Sequence, residues 1–257
     1  MAWRWLLAAA VLGGLAPWLL RSVPVRIRVA GSTAFLPLVL RMVAAYRREH
    51  PGVEIDVTGG GSGFALAQLQ RGVVDVGVSD LPRAAPRLVT RPWARTPVLM
   101  VVARRLGVTA IRRSAIRSLR GSSRPVWPGT RRPVIFVERP YGSGTQALVE
   151  RWAGPLNPRL RPVILGANGL VAQVVAATAG ATGFLDASDL RADLVPLRLD
   201  GVTPTLANVA AGRYPLVLTA RILTRARPGG EVRRLVRALT STRAVAAAGR
   251  PLGYLPP

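Results

Sequence analysis

The 257-residue sequence has no cysteine, no lysine, a single histidine and only 12 carboxylates. Without cysteine there can be no disulfide, no thiolate metal site, no cysteine nucleophile and no lipid-modified cysteine anchor. Without lysine the P-loop, whose lysine reaches the phosphates of a nucleotide, is excluded. The one histidine, His50, lies in "REHPG", a helix stop where a solvent-exposed role is expected, so a Ser-His-Asp triad has no base. A nucleophile elbow, G-x-S-x-G, fails at both candidate serines: Phe64 stands two residues after Ser62, and Tyr141 two before Ser143. Several of the few carboxylates fall inside helix or strand patterns, which leaves little for a metal site. The expectation is a protein with no enzymatic activity, no cofactor and no metal.

Hydrophobic residues make up 49% of the chain, enough for a folded protein with one large core or two smaller lobes. All 36 basic residues are arginine, the formal net charge is +24, and fourteen arginines fall between Arg83 and Arg139. Such a field attracts small anions and anionic membrane surfaces. Basic motifs interleaved with aromatics, the mark of many nucleic-acid binders, are missing, so no nucleic-acid partner is expected. The abundance of Arg, Ala, Gly and Pro together fits GC-rich coding. At the start, "MAWRWLLAAAVLGGLAPWLLRS" holds sixteen uncharged residues, Trp5 to Leu20, between Arg4 and Arg21. That is signal-peptide length. Proline directly after Ala16 disfavours cleavage there. Residues 1–22 are therefore read as an export signal or an N-terminal membrane anchor, with the remainder outside the cytoplasm.

Along the chain, alternating runs predict strands at 25–31, 53–61 and 73–82, separated by a helical pattern from Ala34 to the Pro51-Gly52 stop and another at 64–72. An apolar strand at 95–107 is long enough to cross between lobes. A short helix from 114, a strand ending near Val137 and a helix after "YGSGTQ" follow. Next come a helix from 167, a strand leading to "FLDASDL", a further helix and long strand, and terminal helices over 230–249. Strands alternating with helices imply an α/β fold with a largely parallel sheet.

Three strand-to-helix turns share one chemistry: "AGSTAF" (30–35), "TGGGSGF" (58–64) and "YGSGTQ" (141–146). Each offers glycine where backbone turns or is approached closely, and a hydroxyl where a helix begins. A helix N-terminus presents unpaired N–H groups and partial positive charge. Any one turn alone reads more readily as an ordinary capped loop. Three of them at the carboxyl ends of strands in an α/β fold point to an anion site. "GSGTQA" also matches a dinucleotide pattern, but no acidic residue follows between Arg151 and Leu185 to hold a ribose. Asp80 in "GVSDLP" is the exception, either a turn cap or a ligand contact. A carboxylate helps an anion site only when the ligand has a proton to give it, which separates phosphate from sulfate.

In order and rough spacing, "AGSTAFLP", "HPGVEIDVTGGGSGFALAQLQRGVVDVGVSDLP", "ERPYGSGTQ", "ATGFL", "LDGVTPTLANVAAGRYPL" and "GYLPP" resemble the PstS-type phosphate-binding proteins, solute receptors of the phosphate ABC transporter. The resemblance runs from about Arg26 to the C-terminus. It implies a type II periplasmic-binding-protein fold: two lobes, each a mixed, mostly parallel sheet flanked by helices, joined by crossing hinge strands. Lobe 1 would comprise 26–98 with 205–257, and lobe 2 99–204. It further implies that Ser32 and Thr33 donate hydroxyls to phosphate beside the backbone N–H of Ala34, and that Ser62 donates from the second turn. Asp80 would accept the phosphate proton, Arg139 supply the charged contact, and Ser143, Gly144 and Thr145 close the site. The implied partner is an ABC permease, served by a monomer. The alternatives are a binding protein for another oxyanion, or a membrane-tethered phosphate sensor or scaffold not coupled to transport.

Overall fold

In "VRIRVAG" the side chains of Ile27 and Val29 are buried while Arg26 and Arg28 face outward and pair with Asp56 and Asp75. This two-residue alternation makes a strand with one face committed to a core. A computed structural model describes residues 24–82 and 87–257. The expected leader or anchor at 1–22 lies outside the described residues.

Strands β1 (Val25–Gly31), β2 (Val53–Thr58) and β3 (Val76–Ser79) alternate with helices α1 (Leu36–Glu49) and α2 (Gly61–Gln70). Helix α1 buries Leu38, Val39, Met42, Val43 and Tyr46, the spacing of one helical face, and stops at His50 before Pro51. His50 is half-buried rather than solvent-exposed: its ring stacks on Tyr46, and its Nδ1 lies 3.0 Å from the Tyr46 carbonyl.

The long strand β4 (Leu88–Ala103) follows, then β5 (Ala110–Ile111), α3 (Arg113–Gly121), β6 (Ile135–Glu138), α4 (Gly144–Ala153) and β7 (Val163–Ile164). Helix α5 (Asn168–Ala177), β8 (Ala181–Asp186), β9 (Leu194–Pro196), β10 (Arg198–Leu199), α6 (Leu206–Ala210), β11 (Val217–Arg225), α7 (Gly230–Leu239) and α8 (Thr242–Gly249) complete the order. Among the described residues no helix is long and apolar enough to cross a membrane.

The strands run in the order β2-β1-β3-β11-β4-β8-β6-β7, with β9 also on β4. The outer pairings β1–β2, β1–β3, β6–β8 and β6–β7 are parallel; β11 and β4 join the two wings antiparallel. This is the mixed α/β architecture of the two-lobed binding-protein fold. Strand β4 pairs with β11 as far as Pro97 and with β8 from Val98. It therefore crosses from one wing to the other, as its apolar run implies, but begins at Leu88, seven residues before the start read from sequence. The sequence masks that start because Pro92 interrupts the pattern. The register shifts there, leaving Trp93 as an extra residue, fully buried with its indole N–H on the Leu239 carbonyl at 2.7 Å. Strand β3 is shorter than its pattern: Asp75 turns to accept the Arg28 N–H, and Asp80 departs toward the opposite wing.

Candidate functional site

The carboxyl ends of β1, β3 and β6 converge where the two wings meet. After β1 the chain enters a 3-10 turn, Thr33–Phe35, before α1; Ser32 caps it, its hydroxyl accepting from the Ala34 N–H at 3.2 Å. After β2, Gly60 and Gly61 both adopt positive φ, the conformation only glycine takes without strain. Helix α2 thus starts at Gly61 with no side-chain cap. Ser62 lies inside the first turn rather than at the cap position, which frees its hydroxyl to point away from its own helix. After β6, Ser143 caps α4, its oxygen accepting from the Gln146 N–H at 3.4 Å.

Asp80 gathers two of these turns. Its Oδ2 accepts from the Ser32 hydroxyl at 2.7 Å, its Oδ1 accepts from Ser62, and its own N–H donates to Ser62 Oγ at 3.0 Å. All three residues are buried. The third turn closes from the other wing. A Cβ on Gly144 would stand 2.1 Å from Asp80 Oδ1 and 2.9 Å from the Asp80 carbonyl oxygen, so only glycine permits the approach. Beside it, the Gly63 N–H donates to the Gly142 carbonyl at 3.2 Å. Thr145 is buried in the first turn of α4, and Ser143 is half-buried.

Arg139 reaches back across the same gap. Its Nη2 donates to Thr33 Oγ1 and to the Gly166 carbonyl, both at 2.8 Å, and its N–H donates to Gln146 Oε1 at 3.0 Å. Its Nε and Nη1 are buried with no hydrogen-bond partner among the described residues. A buried charged donor left unsatisfied costs more than the 1–3 kcal/mol of a neutral one. Burial pulls the guanidinium pKa down, and the charges of Asp80, Asp186 and Asp189 act to raise it. A cavity of about 710 Å³ adjoins Arg139, Gly142 and Ser143, and a smaller one of about 160 Å³ lies against Asp80, Gly144 and Arg221.

The nine residues named from sequence thus lie on segments that meet at one place. Ser32, Ala34, Ser62, Asp80 and Gly144 form one contact set; Thr33 and Arg139 form another; Ser143 and Thr145 start the helix that carries Gly144. Sequence reasoning missed the supports. Glu138, next to Arg139, is held by Arg120 in a fully buried pair at 2.6 Å and also accepts from Gln146. Arg120 sits in a stretch rich in arginine, and nothing local distinguishes it from its exposed neighbours. The buried carboxyl of Asp186 and the hydroxyl of Tyr254 were likewise not singled out, although both lie in quoted motifs. Among the described residues, no cluster of His, Cys, Asp or Glu could hold a metal.

Residues 21–241 match the family described as PBP superfamily domain. The chain is 31% identical over 198 residues to the phosphate-binding protein PstS of Bacillus subtilis (strain 168), covering 73% of this chain and 66% of that relative's length. The fold superposes with a TM-score of 0.84 and 17% identity on a putative phosphate ABC transporter substrate-binding protein with bound phosphate from Clostridium perfringens, over 90% of this chain and 99% of the other. An ABC-type phosphate transport receptor from Vibrio cholerae gives a TM-score of 0.73 at 22% identity, over 90% and 100%. These structural likenesses establish the fold.

Proposed function

The chain belongs to the PBP superfamily domain family, and on that premise we propose that it is a non-enzymatic receptor that captures inorganic phosphate between two lobes. The observation that carries this reading is the pair of unpartnered, buried nitrogens on Arg139. A planar guanidinium with two free N–H positions suits a bidentate contact to phosphate oxygens. Lobe 1 is taken as 26–98 with 205–257 and lobe 2 as 99–204, a division supported by the change of β4's partner between Pro97 and Val98.

The chemistry of selection follows from proton counting. A serine hydroxyl has one proton and serves one acceptor at a time. Ser32 and Ser62 give theirs to Asp80. When phosphate enters, both hydroxyls rotate toward its oxygens, and Asp80, released, accepts the proton that phosphate carries. The N–H of Ala34 and the α4 N-terminus at Ser143, Gly144 and Thr145 complete the donor set, and Thr33 shares its oxygen with Arg139. Sulfate brings no proton. It would leave a carboxylate facing an oxyanion, with neither able to donate. Contacts from both lobes favour the closed state, and opening at the crossing strands releases the ion.

Delivery to an ABC-type phosphate importer on the outer face of the cytoplasmic membrane extends this reading, with the similarity to phosphate ABC transporter proteins and the composition of residues 1–22 in its support; the receptor is taken as a monomer. The test of the site is a calorimetric titration of the full chain with phosphate and with sulfate. Phosphate is expected to saturate one site and sulfate to give no binding. Equal binding of the two ions defeats the role of Asp80, and silence toward phosphate defeats the receptor reading.

A further inference from the structure

Beneath the Arg139 side of the site lies a second buried polar cluster that makes none of the proposed phosphate contacts. Asp186, at the carboxyl end of β8, is 1% exposed. Its Oδ2 accepts from Asn168 Nδ2 at the start of α5, and its Oδ1 accepts from the Ser188 N–H at 3.0 Å and from the Ser188 hydroxyl. The half-buried carboxyl of Asp189 is within hydrogen-bonding contact of it. Two carboxyls in hydrogen-bonding contact need a proton between them, because neither can donate when both are ionised.

The cluster touches both walls of the site. On the lobe 1 side, the fully buried hydroxyl of Tyr254 lies 2.8 Å from the Ala34 carbonyl, 3.1 Å from Ser188 Oγ and 3.4 Å from Asp186 Oδ1. Tyr254 thereby ties the loop that carries Ser32, Thr33 and Ala34 to the carboxyl pair. On the other side, Arg139 feels the charges of Asp186 and Asp189 together with Asp80, yet forms no ion pair with any of them. The titratable or charged groups outside the pair that act on it are Arg139, at the end of β6, and Tyr254, in the C-terminal segment; Asp80, at the end of β3, acts on Arg139. Burial pushes the tyrosine's pKa far up, so it stays neutral.

We propose that the Asp186–Asp189 pair is a proton-carrying positioning element of the anion site, which balances the charge of Arg139 until phosphate replaces it and then takes up a proton from solvent. The inference rests on the phosphate reading above. Burial and the neighbouring Asp189 raise Asp186 well above the ordinary carboxylate range, so the pair, titrating as a unit, still exchanges a proton near neutral pH. An anion on Arg139 cancels the positive charge that favoured ionisation and adds a negative one nearby. Both changes raise the pair further. Phosphate binding then consumes protons, and affinity falls as pH rises through neutrality.

The experiment is calorimetric titration of inorganic phosphate into the full chain at pH 7, in two buffers of different ionisation enthalpy, for the wild type and Asp186→Asn. Phosphate and Asp80 contribute equally to the proton count of both proteins, so the difference isolates the pair. The wild type is expected to take up roughly half a proton more than the variant, the change available to a group titrating near neutrality. Equal uptake overturns the proposal. Should Asp186→Asn fail to fold, Asp189→Asn, altered at a half-buried position, is expected to lose the same uptake, and an unchanged count overturns the proposal equally. A wild type that binds phosphate with an unaltered difference refutes this inference alone. One that does not bind phosphate removes both readings.

Discussion

Two buried arginines flank the same strand end and live in opposite circumstances. Arg120 is fully buried, donates to both oxygens of Glu138 at 2.6 and 3.1 Å, and gives its Nε to the Gly154 carbonyl at 2.9 Å. Arg139, one residue beyond Glu138, is 5% exposed and has two nitrogens without partners. The first charge is spent inside the protein and braces the strand; the second is held open at the cost of unmet hydrogen bonds. In a chain with 36 arginines, this difference in satisfaction separates a structural cation from the one proposed to hold the anion.

The comparison breaks first at Arg120. Arg120→Ala leaves Glu138 buried and unpaired and is expected to cost about 3–5 kcal/mol of stability, read as a large drop in denaturation midpoint. A loss below about 1 kcal/mol would mean that the pair is not structural. Arg139→Ala should do the reverse. Its melting temperature without ligand stays close to wild type, while phosphate affinity falls at least about 30-fold, the equivalent of about 2 kcal/mol for truncating a buried charged contact. If Arg139→Ala unfolds the protein instead, the contrast between the two guanidiniums disappears.

Smaller changes sharpen it. Gly144→Ala drives a methyl into Asp80, and overpacking of about 1–3 kcal/mol is expected to appear as roughly tenfold or greater weakening of phosphate in titration. Unchanged affinity would show that Asp80 can move freely and is not part of the clamp. Asp80→Asn keeps the shape but replaces the proton acceptor with an amide that can also donate. It should narrow the preference for phosphate over sulfate by about 1–2 kcal/mol, measured as the ratio of the two dissociation constants. A preference left intact would put selection on Arg139 and the hydroxyls alone.

Much of the fold is visible in the sequence because the rules that set it act over a few residues. The alternation of Ile27 and Val29, the Pro51 stop after α1 and the glycine turns each announce themselves within one window. Where the pattern misled, a distant partner was responsible. The start of β4 is made by pairing with β11, more than a hundred residues later, despite Pro92. Ser62 looks like a helix cap and is instead a buried donor to Asp80. At the site, the glycine and hydroxyl punctuation, the isolated Asp80 and the spacing of Arg139 to Ser143 are legible. The partners of those groups are not.

The sequence by itself determined an α/β chain with three anion-ready turns, and removed cysteine chemistry and the histidine triad by residue type, since backbone sterics, capping and side-chain chemistry are local properties. Only the tertiary structure decided that Arg120 is neutralised while Arg139 is not, and that Asp186 meets Tyr254 across 68 residues. Burial and pairing depend on which distant atoms displace water around a group, and the packed fold alone assigns those neighbours.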